Sequence, residues 1–251
     1  MILRLAGWDL NAIFGWVEFI AGIMAGVICF NKVYSLKRTY KLPKLEGSIL
    51  PIIAVVLLVF LLTAPVFIHF TESASAPGGK HAALAISLVA GIVVGMLAQR
   101  TRLCMVGGIR DIILFDQSRL LLGFIAILVS AFICNLILTN ITDVSYFNLG
   151  FDKQPIAHTD GIWNFLGMLL AGFGCVLLGG CPLRQLVLAG EGNSDSAITV
   201  LGLIIGAAFA HNFGLASSGN GPTVNGQITV VIGLVVTIFI AYFNTFIIKS
   251  K

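Results

Sequence analysis

The chain has 251 residues, of which 58% are apolar and 10% charged, and a mean hydropathy of +1.01. A soluble domain carries about a quarter charged residues, so this composition excludes an ordinary soluble globule and a disordered polymer. The net charge of +4 is too small for a conventional nucleic-acid binder. Five Cys with no CxxC, CxxCH or paired Cys/His spacing point to neither a disulfide framework nor a zinc site. No metal or cofactor is expected.

A hydrocarbon core of about 30 Å takes about 20 apolar residues at helical rise. Seven stretches meet or approach that length, at about 10–30, 49–68, 82–99, 119–139, 162–179, 197–215 and 226–248. The first lacks the basic flank and small-residue cleavage site of a removable leader, so it reads as a span. It carries Gly22-xxx-Gly26, and small residues four apart let helix backbones approach closely. It also carries Glu18 at mid-span, where a carboxyl is costly and marks a coupling group or a buried packing partner.

After the third span comes Arg102-Leu-Cys-Met-Val-Gly-Gly-Ile-Arg-Asp111-Ile-Ile-Leu-Phe115, which is apolar, broken by Gly and too short to cross. After the fifth comes Gly179-Gly-Cys-Pro-Leu-Arg-Gln-Leu-Val-Leu-Ala-Gly190, again short and Gly-bounded. Both read as re-entrant short helices, a backbone tolerated at membrane depth only when it is buried in protein or lines a cavity. Each brings one thiol, Cys104 or Cys181, followed by Arg110 or Arg184.

In Gly180-Cys181-Pro182 the proline suits the first helical position, which makes Cys181 an N-cap candidate. A thiol there meets free backbone N–H groups and the positive end of the helix, an environment that favours anions. The competing reading of any such Cys is a small, soft core residue. That reading covers Cys29, Cys134 and Cys175, which lie inside spans without such flanks. Asp111 is expected to pair with Arg110. The sixth span opens at Asn193-Ser194-Asp195-Ser196, a run of good caps, and ends at His211-Asn212, for which a helix-end role is expected.

The loops set direction. Lys32, Lys37, Arg38, Lys41 and Lys44 lie in 31–47, Arg100, Arg102, Arg110 and Arg119 in 100–119, and Lys249 and Lys251 in the tail. The loops at 69–81, 140–161 and 216–225 hold only Lys80 and Lys153 as Lys or Arg. The positive-inside rule puts the basic loops and the C-terminus in the cytoplasm and Met1 outside, for a multi-pass protein of the inner membrane.

Residues 3–12 and 186–197 both run Leu-Ala-Gly, a short acidic or Asn-containing linker, then a Gly-rich helix; Gly202-xxx-Gly206 matches Gly22-xxx-Gly26. Five crossings separate the copies, so they are oppositely oriented, and inverted repeats place a transporter's substrate site at the repeat interface. In this alignment Met1 faces Arg184, and the chain is expected to begin inside a motif. The expected fold is all-α and polytopic: about seven transmembrane helices plus short re-entrant helices in an inverted-repeat, hourglass-like architecture. Residues 1–99 form the remainder of the first repeat with connecting spans, and 100–251 the second.

The Gly179-Gly-Cys-Pro-Leu-Arg184 motif, the Leu-Ala-Gly-Glu-Gly-Asn-Ser-Asp-Ser that follows it and the Arg102–Asp111 segment resemble the YeeE/YedE sulfur-transport family, closest to its selenium-associated YedE branch. The resemblance implies an hourglass of helices whose short helices meet at a constriction lined by thiols. It implies that the path thiols are Cys104 and Cys181, passing a sulfur- or selenium-containing anion such as thiosulfate by S–H···S contacts. Full members carry both Cys motifs in each half; here the first half retains only the trailing Leu-Ala-Gly.

The expected function is therefore a permease, not an enzyme. Its pathway residues are Cys104, Cys181, Arg110, Arg184, Gly180 and Pro182, with Glu18, Asp111 and His211 in coupling or packing roles. The expected partners are a small inorganic anion and the lipid bilayer, with a soluble sulfur carrier as a further one, and no nucleic acid. The alternative is a membrane-embedded sulfur or selenium relay enzyme in which Cys181 forms a persulfide as the thiolate nucleophile. No resolving Cys lies near Cys181 in sequence, which counts against it. A third reading, a permease subunit, draws energy from another chain, since no P-loop is present.

Overall fold

The computed structural model describes residues 2–33, 47–63, 82–142, 144–151, 158–218 and 221–246. In chain order the helices are α1 (Ile2–Ala6), α2 (Leu10–Val33), α3 (Ile49–Thr63), α4 (Leu84–Thr101), α5 (Met105–Phe115), α6 (Arg119–Thr142), α7 (Gly161–Leu177), α8 (Pro182–Gly190), α9 (Ser194–Asn212) and α10 (Val224–Phe246). The protein is an all-α polytopic membrane protein, and six apolar segments among the described residues are long enough to cross a bilayer. The stretch expected at 49–68 is described as a helix over 15 residues, Ile49–Thr63, and its remainder lies outside the described residues. Most lysines of the 31–47 loop also lie outside them, as do Lys80, Lys153 and the C-terminal lysines.

The chain divides into two compact units, one of residues 1–39, 104–182 and 201–251, the other of residues 40–103 and 183–200. The larger unit is built on α2 and α7. Gly22 lies against Leu169, Gly26 against Val176, and Gly172 against the backbone between Phe19 and Ile23. Residue numbers rise together along both helices, so α2 and α7 run parallel. Alternating crossings make the first and fifth spans parallel when Ile49–Thr63 counts as one crossing and α5 adds none, in keeping with a chain of seven spans.

Ile23, fully buried, and Val27 anchor the core with Trp16, Phe19, Phe173 and Val176. Trp16 meets Phe19 edge-on at 5.8 Å and Phe124 at 5.0 Å. Elsewhere the long helices turn apolar side chains outward, as hydrocarbon contact requires; Ile125, Val129 and Ile133 on α6 and Val231, Val235 and Phe239 on α10 are all exposed. In the smaller unit Leu50 packs on Ala189, Ala197 and Val200.

The turns that follow α1 and α8 share one backbone pattern. After α1 the N–H of Asp9 reaches Arg4 O (3.1 Å) and that of Trp8 reaches Leu5 O (3.2 Å). After α8 the N–H of Asn193 reaches Leu188 O (3.0 Å) and that of Gly192 reaches Ala189 O (3.1 Å). Both are Schellman endings with a left-handed residue, Trp8 (φ 65°) or Gly192 (φ 87°), at the turn. The next residue then caps the following helix: Asp9 Oδ1 accepts from Ala12 N (3.3 Å) and Asn193 Oδ1 from Ser196 N (2.9 Å). This register pairs Asp9 with Asn193 and Met1 with Gln185, one residue away from the alignment on Leu-Ala-Gly. Backbone hydrogen bonds set the turn, and the shared letters fall one step out of phase with it.

Candidate functional site

The two Cys segments share one construction. At the end of α4, Leu103 N donates to Ala98 O (3.3 Å) and Arg102 N to Gln99 O (3.2 Å), with Arg102 left-handed at φ 51°. At the end of α7, Gly180 N donates to Cys175 O and Gly179 N to Val176 O, both at 3.1 Å, with Gly179 at φ 75°. Each is a Schellman ending followed, two residues after the left-handed position, by a cysteine and then a short helix. Cys104 precedes α5 of 11 residues and Cys181 precedes α8 of 9. At 1.5 Å per residue these reach only about 16 and 14 Å, well short of a crossing.

Cys104 is the N-cap of α5: its backbone is extended and its Sγ accepts from Gly107 N at 3.2 Å. A second backbone donor, the N–H of Cys181, reaches the same sulfur at 3.5 Å. The side chain of Cys181 is also a hydrogen-bonding neighbour of Cys104. Both residues are buried, at 6% and 7% exposure, within the apolar core of the larger unit. The structure thus brings together two thiols 77 residues apart. A Cβ on Gly107 would lie 3.2 Å from Cys104 Sγ, a tight approach that the thiol would have to give way to.

Cys175 joins the same buried cluster. Sequence reading assigned it to packing, since it sits inside an apolar span. The available signal was its spacing: six residues before Cys181 it supplies the carbonyl that closes the turn leading to that thiol. Trp16 is a second residue the sequence did not single out. Its Nε1 is buried in this core and has no hydrogen-bond partner among the described residues. Cys29 and Cys134 are exposed.

Of the other expected residues, Arg110 lies on α5 and is paired as anticipated, with Nε and Nη2 donating to Asp111 Oδ1 at 3.0 and 2.8 Å. Its charge is therefore partly compensated by its neighbour. Gly180 is buried and Pro182 exposed at the first position of α8. Arg184 belongs to the smaller unit, and its Nη1 is buried with no hydrogen-bond partner among the described residues. Arg100 and Arg102 are exposed. His211 ends α9, also exposed.

Glu18 lies apart from the thiols. It lines a cavity of about 430 Å³ with Asn11, Phe14, Gly15, His158, Asn164 and Met168, between the N-terminal halves of α2 and α7. Its Oε2 is buried without a hydrogen-bond partner among the described residues. From Asn164 to Cys175 the chain advances eleven residues along α7, about 16 Å, so the cavity and the thiols occupy successive levels of the same helix pair.

A profile described as "Sulphur transport" matches residues 100–249, more than half of the chain and both Cys segments. A protein of Escherichia coli strain K12, the thiosulfate transporter TsuA, is 28% identical over 125 residues. That alignment covers 48% of this chain and 32% of the relative, so the matched region is about a third of the relative's length. No solved structure shows significant similarity.

Proposed function

We propose, from the premise that this chain belongs to the sulphur-transport family, that it conducts a small sulfur-containing anion of the thiosulfate class across the membrane past Cys104 and Cys181. The observation that carries this reading is the meeting of the two Cys segments, with Cys181 N–H on Cys104 Sγ at 3.5 Å inside a buried core. The family's chemistry and the name of the Escherichia coli relative support the substrate class.

The geometry suits a soft anion. Two short helices begin at these thiols, and helix N-termini present unpaired N–H groups and positive dipole ends to negative charge. Thiols add weak, polarizable S–H donors. Each contact is feeble, as conduction demands, because an ion bound tightly at one site does not leave it. A full thiolate at the waist would repel the passing anion. Arg184 and Arg110, each on a short helix begun by a Cys, supply positive charge, and Gly180 and Pro182 set the turn that presents Cys181. The remaining assignments follow the sequence: an inner-membrane location, a cytoplasmic C-terminus, and residues 1–99 and 100–251 as oppositely oriented repeats.

The test is uptake of labelled thiosulfate by cells or proteoliposomes carrying this chain. Cys181→Ala and Cys104→Ala are each expected to lower it at least tenfold, and unchanged uptake in Cys181→Ala would refute the path thiol. Competition by selenite and selenate reports whether selenium oxyanions share the path.

One observation favours a second reading. The resolving thiol that the sequence lacked near Cys181 is supplied in space by Cys104. In a relay, a Cys181 thiolate takes the outer sulfur of thiosulfate, forming a persulfide and releasing sulfite. The persulfide then passes its outer sulfur to a soluble carrier thiol, or Cys104 attacks it, closing a disulfide and releasing sulfide. Intact mass after thiosulfate exposure separates the two: conduction leaves the mass unchanged, whereas the relay adds one sulfur atom or removes two hydrogens.

A further inference from the structure

We infer that the cavity around Glu18 is a proton-binding site that couples proton movement to the anion; the inference rests on the transport reading above. Four observations carry it. The first is position: Glu18 follows Leu10 by eight residues, about 12 Å into the apolar α2, where a carboxyl needs a partner or a task. The second is the missing partner, since Oε2 is buried and makes no hydrogen bond among the described residues. The third is the cavity itself, about 430 Å³ and lined by Glu18, beside a second hollow of about 200 Å³ that shares His158, Asn164, Met168 and Ser217 with it.

The fourth is the chemistry of the lining. No Lys or Arg is among the described residues of either hollow, so a carboxylate there has no fixed counter-charge. The amide nitrogens of Asn11 and Asn164 each spend one N–H on the His158 carbonyl, at 3.2 and 2.9 Å. His158 Nδ1 accepts from Asp160 N at 3.3 Å, which leaves Nε2 as the ring's other proton site. The titratable groups of the lining are Glu18 on α2 and His158 ahead of α7. Asp160 is engaged as the cap of α7, accepting from Trp163 N, and Asp9 pairs with Arg4 at 3.6 Å at the foot of α2. The unmatched group is thus a carboxyl lining a hollow on the helix pair α2 and α7.

A carboxylate repels an anion arriving at the same cavity, and a protonated carboxyl donates to it. Taking up one proton therefore lets the anion enter, and releasing it on the far side returns the site. The proton binds an oxygen of Glu18 and leaves from it, with no other bond made or broken.

The experiment uses proteoliposomes of the full chain with a lumenal pH dye and labelled thiosulfate in sodium-free buffer. The wild type is expected to acidify the lumen by about one proton per anion taken up. In Glu18→Gln the ratio is expected to fall at least tenfold, and in Glu18→Asp to persist. Thiosulfate uptake by the wild type without acidification, an unchanged ratio in Glu18→Gln, or a strict need for sodium would each overturn the proton site and leave the transport reading standing. Infrared difference spectra give a readout independent of flux: a protonated-carboxyl band that thiosulfate perturbs and Glu18→Gln removes. If the wild type moves no thiosulfate yet shows that band, transport falls and the proton site stands. If Glu18→Gln abolishes all flux, the band decides, and its absence from the wild type overturns the site.

Discussion

The backbone N–H of Cys181 points at the sulfur of Cys104, 3.5 Å away, and so ties the start of one short helix to the cap of another. Gly107 N donates to the same sulfur at 3.2 Å. Cys104 is therefore both a cap and a candidate path thiol, and the two roles are separable. In Cys104→Ala both are lost: we expect about 1 kcal/mol less stability, in line with the loss of an N-cap, together with lost uptake. In Cys104→Ser the hydroxyl restores most of the cap but not the polarizable sulfur, so the melting temperature in detergent should recover while thiosulfate uptake does not. Full uptake by Cys104→Ser would show that the sulfur acts only through the fold.

Two thiols in contact should behave as a pair toward reagents that need both. A trivalent arsenical is expected to block uptake by the wild type and to be reversed by a dithiol rather than a monothiol. Cys181→Ser, assayed for labelling, should bind it at least tenfold more weakly. Thiosulfate present during the reaction should slow the block. Equal labelling of the wild type and Cys181→Ser would mean that another thiol, such as buried Cys175, holds the reagent.

Much of this architecture was legible in the residues, for identifiable reasons. The spans follow from apolar length, and the short helices from Gly-bounded segments too brief to cross, both local properties. The Arg110–Asp111 pair is local too. The contact between Cys104 and Cys181 is not: it depends on how segments 77 residues apart pack, which no local pattern encodes. Cys175 was hidden because an apolar span gives every residue the same apolar neighbours, and its part in the turn lies in its carbonyl. The shared Leu-Ala-Gly letters fall one residue out of register with the matched turns, since Trp8 and Gly192 adopt the same left-handed backbone with unrelated side chains.

The parallel pair of α2 and α7 rests on the absence of side chains at its crossing. A Cβ on Gly172 would lie 2.5 Å from Phe19 O and 2.9 Å from Ile23 N, where backbone cannot yield. Gly172→Ala is therefore expected to force the helices apart, lowering stability by roughly 1–3 kcal/mol and displacing the cavity and thiol levels together. Gly91→Ala on α4 is the control: a Cβ there meets nothing within 4 Å, and the gain in helix propensity should leave the protein as stable or up to about 1 kcal/mol more so. Unfolding in mixed detergent measures both. Equal effects would mean that the close approach does not hold the pair.

The matched turns before the two thiols make a last comparison. Gly179 and Arg102 hold the same left-handed position, at φ 75° and 51°, and only one of them is a glycine. An L side chain pays roughly 1–2 kcal/mol in that region. Gly179→Ala should therefore cost about 1 kcal/mol, with open space around the new methyl leaving backbone strain as the cause. Arg102→Gly relieves the same strain, and we expect it to raise stability by up to about 1 kcal/mol. If Arg102 also draws anions toward the path, the same change should raise the thiosulfate concentration needed for half-maximal uptake, most visibly at low salt where surface charge is least screened. A more stable protein with poorer apparent affinity would show that Arg102 is kept at a strained turn for its charge, whereas a gain in stability with uptake unaltered at low salt would show that its charge plays no part in uptake.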